Sequence, residues 1–284
     1  MALINSFQGH SNSIYRIKQL PNSYVATASG DNTSKIWNPL NGNWSLIQTF
    51  IGHNNSVICL EYVNSNTIAT GSSDGTVKIW SISTGLTNLT INANTPMVRA
   101  LKLLTNGYYL ACGLLTPSLN ISIYNINNGS LVATLVGHTS NLNDLELISA
   151  YNLLASSDTD LTIRIWNLTT YSLVFCLSGT YTGTGYPFAL RLLPNNILAC
   201  GAWDQTIKLF NITNGLLTLK TTLSGHTASI YYGLDLFSDG QTLASGAYDQ
   251  LVKLWNYNTG QLLNTVNAGI QIRALAVFNA TTCK

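Results

Sequence analysis

Gly52-His53-Asn54-Asn55-Ser56-Val57-Ile58-Cys59-Leu60-Glu61-Tyr62-Val63, running on through Thr70, Ser73-Asp74-Gly75 and Thr76-Val77-Lys78-Ile79-Trp80, decides how the chain is read. Residues 57–63 are an apolar, β-branched run between polar turns, which reads as a buried inner strand. Asn64-Ser65-Asn66 turns the chain and residues 67–71 return it. Ser73-Asp74-Gly75 is a tight-turn signal, residues 76–80 form a third strand, and Ser83-Thr84-Gly85 leads into a weaker outer strand at 86–90.

The pattern recurs along the chain. Gly9-His10, Gly52-His53, Gly137-His138 and Gly225-His226 are answered 27 to 29 residues after the histidine by Trp37, Trp80, Trp166 and Trp255. Degenerate copies close at Tyr124 and Phe210, so the six closing aromatics are spaced by 43, 44, 42, 44 and 45 residues. Four strands at a period of roughly 40 to 45 residues predict an all-β chain folded as a β-propeller. Asp31, Asp74, Asp160, Asp204 and Asp249 stand six before the closing aromatic, and Lys35, Lys78, Arg164, Lys208 and Lys253 stand two before it.

These repeats resemble the WD-repeat family over essentially the whole length. Asn38, Ser81, Asn125, Asn167, Asn211 and Asn256 replace the aspartate that usually follows the family's tryptophan, at a position that varies within it. The resemblance implies a buried hydrogen-bonded tetrad in each well-formed blade. The matching sets are His10, Thr27, Asp31 and Trp37; His53, Thr70, Asp74 and Trp80; His138, Ser156, Asp160 and Trp166; and His226, Ser245, Asp249 and Trp255. The third repeat lacks the set: Ala93-Asn94, Cys112, Ser118 and Tyr124 replace it, with extra residues around Leu115-Thr116-Pro117. The fifth has Gly179-Thr180, Cys200 and Phe210 and retains only Asp204. Losing both ends of a buried pair together is nearly neutral, so packing is expected to hold these two blades.

The expected architecture is a single propeller domain over residues 1–284, with six complete four-stranded blades and a partial seventh shared between the termini. Residues 2–7 read as the outer strand completing the last blade. Residues 261–266 read as an outer strand, and 270–278 as a seventh inner strand inside an incomplete blade at 268–284. Either the chain is incomplete, the reading preferred here, or six blades close with an irregular seam. Both leave sheet edges at the seam.

Composition narrows the function. Charged residues are 8% of the chain, against about 25% in typical soluble domains. Ten of the 24 charges occupy the repeating Asp and Lys/Arg positions. That leaves no basic stripe for a phosphate backbone, so nucleic-acid binding is not expected. No apolar run approaches the roughly 18 residues a spanning helix needs, and no secretory leader is read at the start, so no membrane role is expected. Cys59, Cys112, Cys176, Cys200 and Cys283 are odd in number and never spaced Cys-x-x-Cys, which fits a reducing, cytoplasmic setting. Nine Asn-x-Ser/Thr sequons are weak signals in a chain this rich in Asn, Ser and Thr.

No catalytic, cofactor or metal site is expected. The four histidines are absorbed by the tetrads. Asp158-Thr159-Asp160 resembles a carboxylate pair for a divalent ion, but Asp160 belongs to a tetrad and Asp158 reads as a solvated turn acid. Glu61, Asp144 and Glu146 read as polar lining of a central channel. Gly183-Thr184-Gly185 precedes a strand rather than a helix, so it reads as a loop and not a phosphate cradle.

Binding residues are sought instead where, in the family, the turns before the tetrad aspartate meet the starts of the inner strands. The residue before that aspartate is Gly30, Ser73, Thr159, Trp203 or Tyr248, and inner-strand starts supply Tyr15, Arg99, Tyr231 and Arg273. Tyr15, Trp203, Tyr231, Tyr248 and Arg273 form the candidate partner-binding arc, since Trp, Tyr and Arg dominate interface hot spots. The expected function is a non-enzymatic scaffold binding other proteins or peptides through this rim, monomeric as an isolated domain or part of a larger assembly. The alternative is a reader of a small molecule or modified peptide in the central channel.

Overall fold

The computed structural model describes residues 8–21, 23–39, 44–115, 117–178 and 185–277. The second repeat forms β5 (Val57–Asn64), β6 (Thr67–Ser72), β7 (Thr76–Ser81) and β8 (Thr87–Asn92), paired in that order and antiparallel throughout. Five more four-stranded sheets repeat the plan, and together these are the six blades of a β-propeller. The first blade is β1 (Ile14–Gln19), β2 (Val25–Ser29), β3 (Thr33–Asn38) and β4 (Ser45–Ile51). The third is β9 (Val98–Leu103), β10 (Tyr109–Leu114), β11 (Ile121–Asn125) and β12 (Leu131–Leu135). The fourth is β13 (Leu142–Ile148), β14 (Leu153–Asp158), β15 (Thr162–Asn167) and β16 (Ser172–Ser178). The fifth is β17 (Pro187–Leu193), β18 (Ile197–Ala202), β19 (Thr206–Thr213) and β20 (Leu216–Ser224), and the sixth is β21 (Gly233–Leu236), β22 (Thr242–Gly246), β23 (Leu251–Asn256) and β24 (Gln261–Asn267). The chain divides into two compact units, blades one to three up to Val136 and blades four to six from Gly137 to Val277.

The second strand of each blade is buried on both faces, which is why it reads as an unbroken apolar and small-residue run. Between the first two blades, Ala26, Ala28, Ile36 and Phe50 meet Val57, Leu60, Ile68 and Trp80. Small residues permit this approach: a Cβ on Gly71 would come within 2.7 Å of Val98 in the next blade. The turn after each tetrad aspartate needs a left-handed residue, at φ 68° for Asn32, 80° for Gly75, 65° for Leu161, 71° for Gln205 and 68° for Gln250. Leu161 is the least suited side chain of the five for that region.

Within each unit the inner strands are also tied by acids. Glu61 pairs with Lys18 at 2.5 Å, and Asp235 pairs with Arg191 at 2.7 Å. Asp144 accepts the Leu190 N–H at 3.0 Å and Glu146 accepts the Leu192 N–H at 3.1 Å. Glu61, Asp144 and Glu146 are therefore cross-links between neighbouring inner strands.

The expected seventh inner strand at 270–278 is corrected. Through Val277 it forms no strand, only one parallel bridge between Ala274 and Tyr232. Tyr232 N–H donates to the Arg273 carbonyl at 3.1 Å, Ile272 N–H to that of Ala247 at 3.1 Å, and Val277 N–H to Asp235 Oδ2 at 2.8 Å. No described strand pairs with its other side, so the ladder that makes a strand is missing. The expectations for residues 2–7, Gly179-Thr180, Gly183-Thr184 and residues 278–284 fall outside the described residues.

Candidate functional site

In the second blade, Trp80 Nε1–H donates to Thr70 Oγ1 at 2.7 Å. That oxygen lies 2.8 Å from His53 Nε2, and His53 Nδ1 lies 2.9 Å from Asp74 Oδ2. The corresponding distances are 2.9, 2.7 and 2.8 Å in the first blade and 2.8, 2.7 and 2.8 Å in the sixth. Desolvation dominates these imidazoles and lowers the pKa of His10, His53 and His226 despite the adjacent carboxylates. A neutral ring donating from Nδ1 to the carboxylate leaves Nε2 to accept the hydroxyl proton. Burial pushes Asp74 up, but hydrogen bonds from Thr76, the Asn54 N–H and His53 outweigh it and hold the carboxyl at about 2. These three imidazoles have both nitrogens engaged, so they join strands and have no lone pair to offer a substrate.

The fourth blade departs from the pattern. Trp166, Ser156 and His138 keep 2.7 Å contacts, but His138 Nδ1 to Asp160 Oδ2 lengthens to 3.2 Å. A second carboxylate, Asp158 Oδ2, lies 3.4 Å from the same nitrogen. The reading of Asp158 as a solvated turn acid is wrong: the residue is 0% exposed at the end of β14. It occupies the register position of Ser29 and Ser72, which sequence spacing from the tetrad aspartate would have revealed. Burial pushes its carboxyl up to about 6.

The third blade has no histidine-aspartate pair, and Cys112, Leu110 and Tyr124 fill the space as part of an apolar cluster. In the fifth, Asp204 finds another partner: Lys208 Nζ lies 2.5 Å away and also donates to Thr206 Oγ1 at 2.7 Å. Lys208 is buried here. The repeat pattern shows a basic residue at this position in every tetrad blade as well, so nothing in spacing singled it out.

The candidate binding residues gather largely in the C-terminal unit. Phe188 and Tyr231 stack at 4.2 Å between ring centres, tilted by 17°, and Tyr231 and Tyr248 stack at 4.7 Å and 14°. Arg273 lies over the Tyr248 ring at 5.7 Å. Trp203 stands edge-on to Tyr231 at 6.2 Å and lies 6.0 Å from Phe188, and Tyr186 contacts Trp203 edge-on at 6.4 Å. Backbone bonds stitch the loops beneath: Trp203 N–H to Tyr186 O at 3.0 Å, Ile230 N–H to Ala202 O at 3.2 Å and Tyr248 N–H to Ser229 O at 3.1 Å. Trp203 is 47% exposed and Tyr186 is 40% exposed, while Phe188 is buried as the floor. Tyr15 lies half-buried on β1 in the other unit. Tyr186, Phe188 and Tyr232, whose ring stands edge-on to Tyr231 at 6.0 Å, are not among the residues that the sequence singles out. The alternation Tyr186-Pro187-Phe188 at the start of β17 was the available signal.

The acids beside the exposed rings are spoken for. Asp204, next to Trp203, pairs with Lys208, and Asp249, next to Tyr248, is bound by His226 and the Thr227 N–H. The patch is apolar and aromatic with Arg273 at its margin.

The family model described as "WD domain, G-beta repeat" matches residues 1–38, 44–81, 129–167 and 217–256, more than half of the chain. The chain belongs to the WD-repeat family. Propellers of this family are in general non-enzymatic scaffolds for protein contacts. The repeats closing at Tyr124 and Phe210, whose tetrads are dismantled, are the ones the family model passes over. Polycomb protein EED of Chaetomium thermophilum is 46% identical over 50 residues, 17% of this chain and 9% of that protein. Nuclear distribution protein nudF 1 of Talaromyces marneffei is 32% identical over 111 residues, 38% of this chain and 23% of that protein. The aligned stretches thus cover well under two thirds of either relative.

Proposed function

We propose that this WD-repeat protein is a non-enzymatic scaffold that docks a protein or peptide partner on the aromatic face built by Tyr186, Trp203, Tyr231, Tyr248 and Arg273. The supporting observation is the stacked column Phe188–Tyr231–Tyr248 with half-exposed Trp203 set edge-on against it. A pre-packed column holds its exposed rings without further ordering on binding, and rigid Trp, Tyr and Arg anchors dominate interface energetics. The same stacking argues against a cage for a modified side chain. Such a reader needs open space between ring faces, and both faces of Tyr231 are covered.

Tyr15 remains a candidate contact on its own blade. We place the protein in the cytoplasm, a setting consistent with Cys59, Cys112, Cys176 and Cys200 being free thiols and with burial raising Cys200 to about 12. Among the described residues no helix is long and apolar enough to cross a membrane.

Affinity purification with mass spectrometry, run in parallel on the wild type, Trp203→Ala and Tyr248→Ala, tests the reading. Each variant is expected to weaken a captured partner by about 1 to 3 kcal/mol while remaining folded, with a modest drop in melting temperature from the lost ring contacts. Alanine changes at Ser65 and Thr84, in turns at the other end of their own blade from the Asp74 turn, should leave binding intact. Salt should weaken binding only modestly, since charges contribute little to such a face. Sensitivity confined to the Ser65 and Thr84 turns, or loss of binding in moderate salt, overturns the proposal.

A further inference from the structure

The position two residues before the tetrad aspartate carries a hydroxyl in the first two blades. Ser29 and Ser72 donate to the carbonyls of Asn12 and Asn55 at 3.2 and 3.0 Å and accept the N–H of Asp31 and Asp74 at 3.2 and 3.0 Å. In the sixth blade the position is Ala247. In the fourth it is Asp158, whose Oδ1 accepts the Asp160 N–H at 2.7 Å. Its Oδ2 is fully buried and has no hydrogen-bond partner among the described residues. That oxygen is aimed at His138 Nδ1 and, with Asp160 Oδ2, completes three donor atoms within 4.8 Å of one another.

A buried carboxylate oxygen without a partner is expensive unless it coordinates a cation or takes up a proton. The cation beside the cluster is Arg164, whose Nη2 lies 3.6 Å from Asp160 Oδ2. It acts on Asp158 through space, with no ion pair or hydrogen bond to it among the described residues. An imidazolium at His138 would also leave Asp158 Oδ2 at 3.4 Å, beyond a good N–H···O bond. We propose that His138 Nδ1, Asp158 Oδ2 and Asp160 Oδ2 form a binding site for one divalent transition-metal ion of the zinc type. Bonds of about 2.0 to 2.2 Å in a tetrahedron place ligand atoms about 3.4 Å apart. The two nitrogen-to-oxygen separations here are 3.2 and 3.4 Å. An imidazole with two carboxylates suits zinc better than calcium or magnesium, which call for oxygen-rich shells.

Supporting contacts are in place. His138 Nε2, 2.7 Å from Ser156 Oγ, can donate there and leave the Nδ1 lone pair for the metal, as outer-shell partners of metal-bound histidines do. The exposed Thr139 hydroxyl, 3.5 Å from Asp160 Oδ2, lies where a fourth ligand or water would enter. The ion pins the loop after Gly137 to the turn at 158–162, a structural role in this blade alone.

The test uses untagged full-length protein stripped with a chelator and titrated with zinc chloride, read by calorimetry and thermal melts. The wild type is expected to bind one more zinc per chain than Asp158→Ser, and to melt several degrees higher with zinc. Asp158→Ser installs the residue of the first two blades, so its fold should persist and its melting should ignore zinc. Asp158→Asn, an isosteric second variant, should behave likewise. Equal zinc uptake by the wild type and both variants overturns the site. So does a wild type that ignores zinc but grows more stable as pH falls through about 6, since Asp158 then holds a proton and not a metal.

Discussion

The second and fifth blades begin from the same sequence mark, an aspartate six residues before the closing aromatic, and settle it in opposite ways. Asp74 is drawn inward, through His53 and Thr70 to Trp80, and each member satisfies the next. Asp204 is turned along its own strand to Lys208 and Thr206, while Cys200 and Phe210 complete the interior without polar atoms needing partners. The interior of a blade tolerates a complete polar chain or an apolar plug, because the costly state is the half-finished network. The fourth blade adds to this lesson. There the chain is complete but one acid too many has been buried beside it.

The most severe way to break the comparison is Asp74→Ala. It strands a buried imidazole and removes the acceptor for the Asn54 and Thr76 N–H groups. A loss of about 2 to 4 kcal/mol in denaturant melts is expected. Asp204→Ala takes away the carboxylate from the buried Lys208 ammonium but leaves it the Thr206 hydroxyl at 2.7 Å. It breaks no chain of three further partners, so a smaller loss of about 1 to 2 kcal/mol is expected. Adding Lys208→Met should recover part of that loss, because both members of the pair are then gone. Equal losses for Asp74→Ala and Asp204→Ala would show that the tetrad has no special weight.

Most of the fold was legible because propeller blades are written in local signals: the Asp turn, the short apolar strand runs and the closing aromatic recur at one spacing. The second blade's strands start within one residue of where the sequence put them. What escaped were features that depend on the neighbouring chain. Asp158 looks like any turn acid until β14 is seen to bury it, and Lys208 looks like its counterparts until the missing histidine frees Asp204 to meet it. Residues 270–277 carry strand-forming side chains, yet a strand is made by pairing, and only one bridge is available. At the aromatic face, Trp203 and Tyr248 were legible from their place before the turn aspartate. Phe188 was hidden because its part is played under the other rings.

The smallest effect expected is in pH. Desolvation holds His53 below its ordinary pKa of about 6.5, outweighing the carboxylate of Asp74. A base whose folded pKa is depressed adds nothing above the unfolded value and costs stability as pH falls below it, because only the unfolded chain takes up the proton freely. Between pH 7 and 6 one such imidazole removes at most about 0.7 kcal/mol. His10 and His226 behave alike, so the three act together in that window. Asp31 and Asp74, held at about 2, come into play only as pH drops below about 4, where their contribution is lost in turn. His53→Gln should therefore show a shallower fall in stability from pH 7 to 6 than the wild type, and Asp204→Ala, in a blade without an imidazole, should show the wild-type slope. If the His53→Gln and wild-type slopes coincide, His53 is not held neutral by burial, and the contrast between the second and fifth blades loses its electrostatic half.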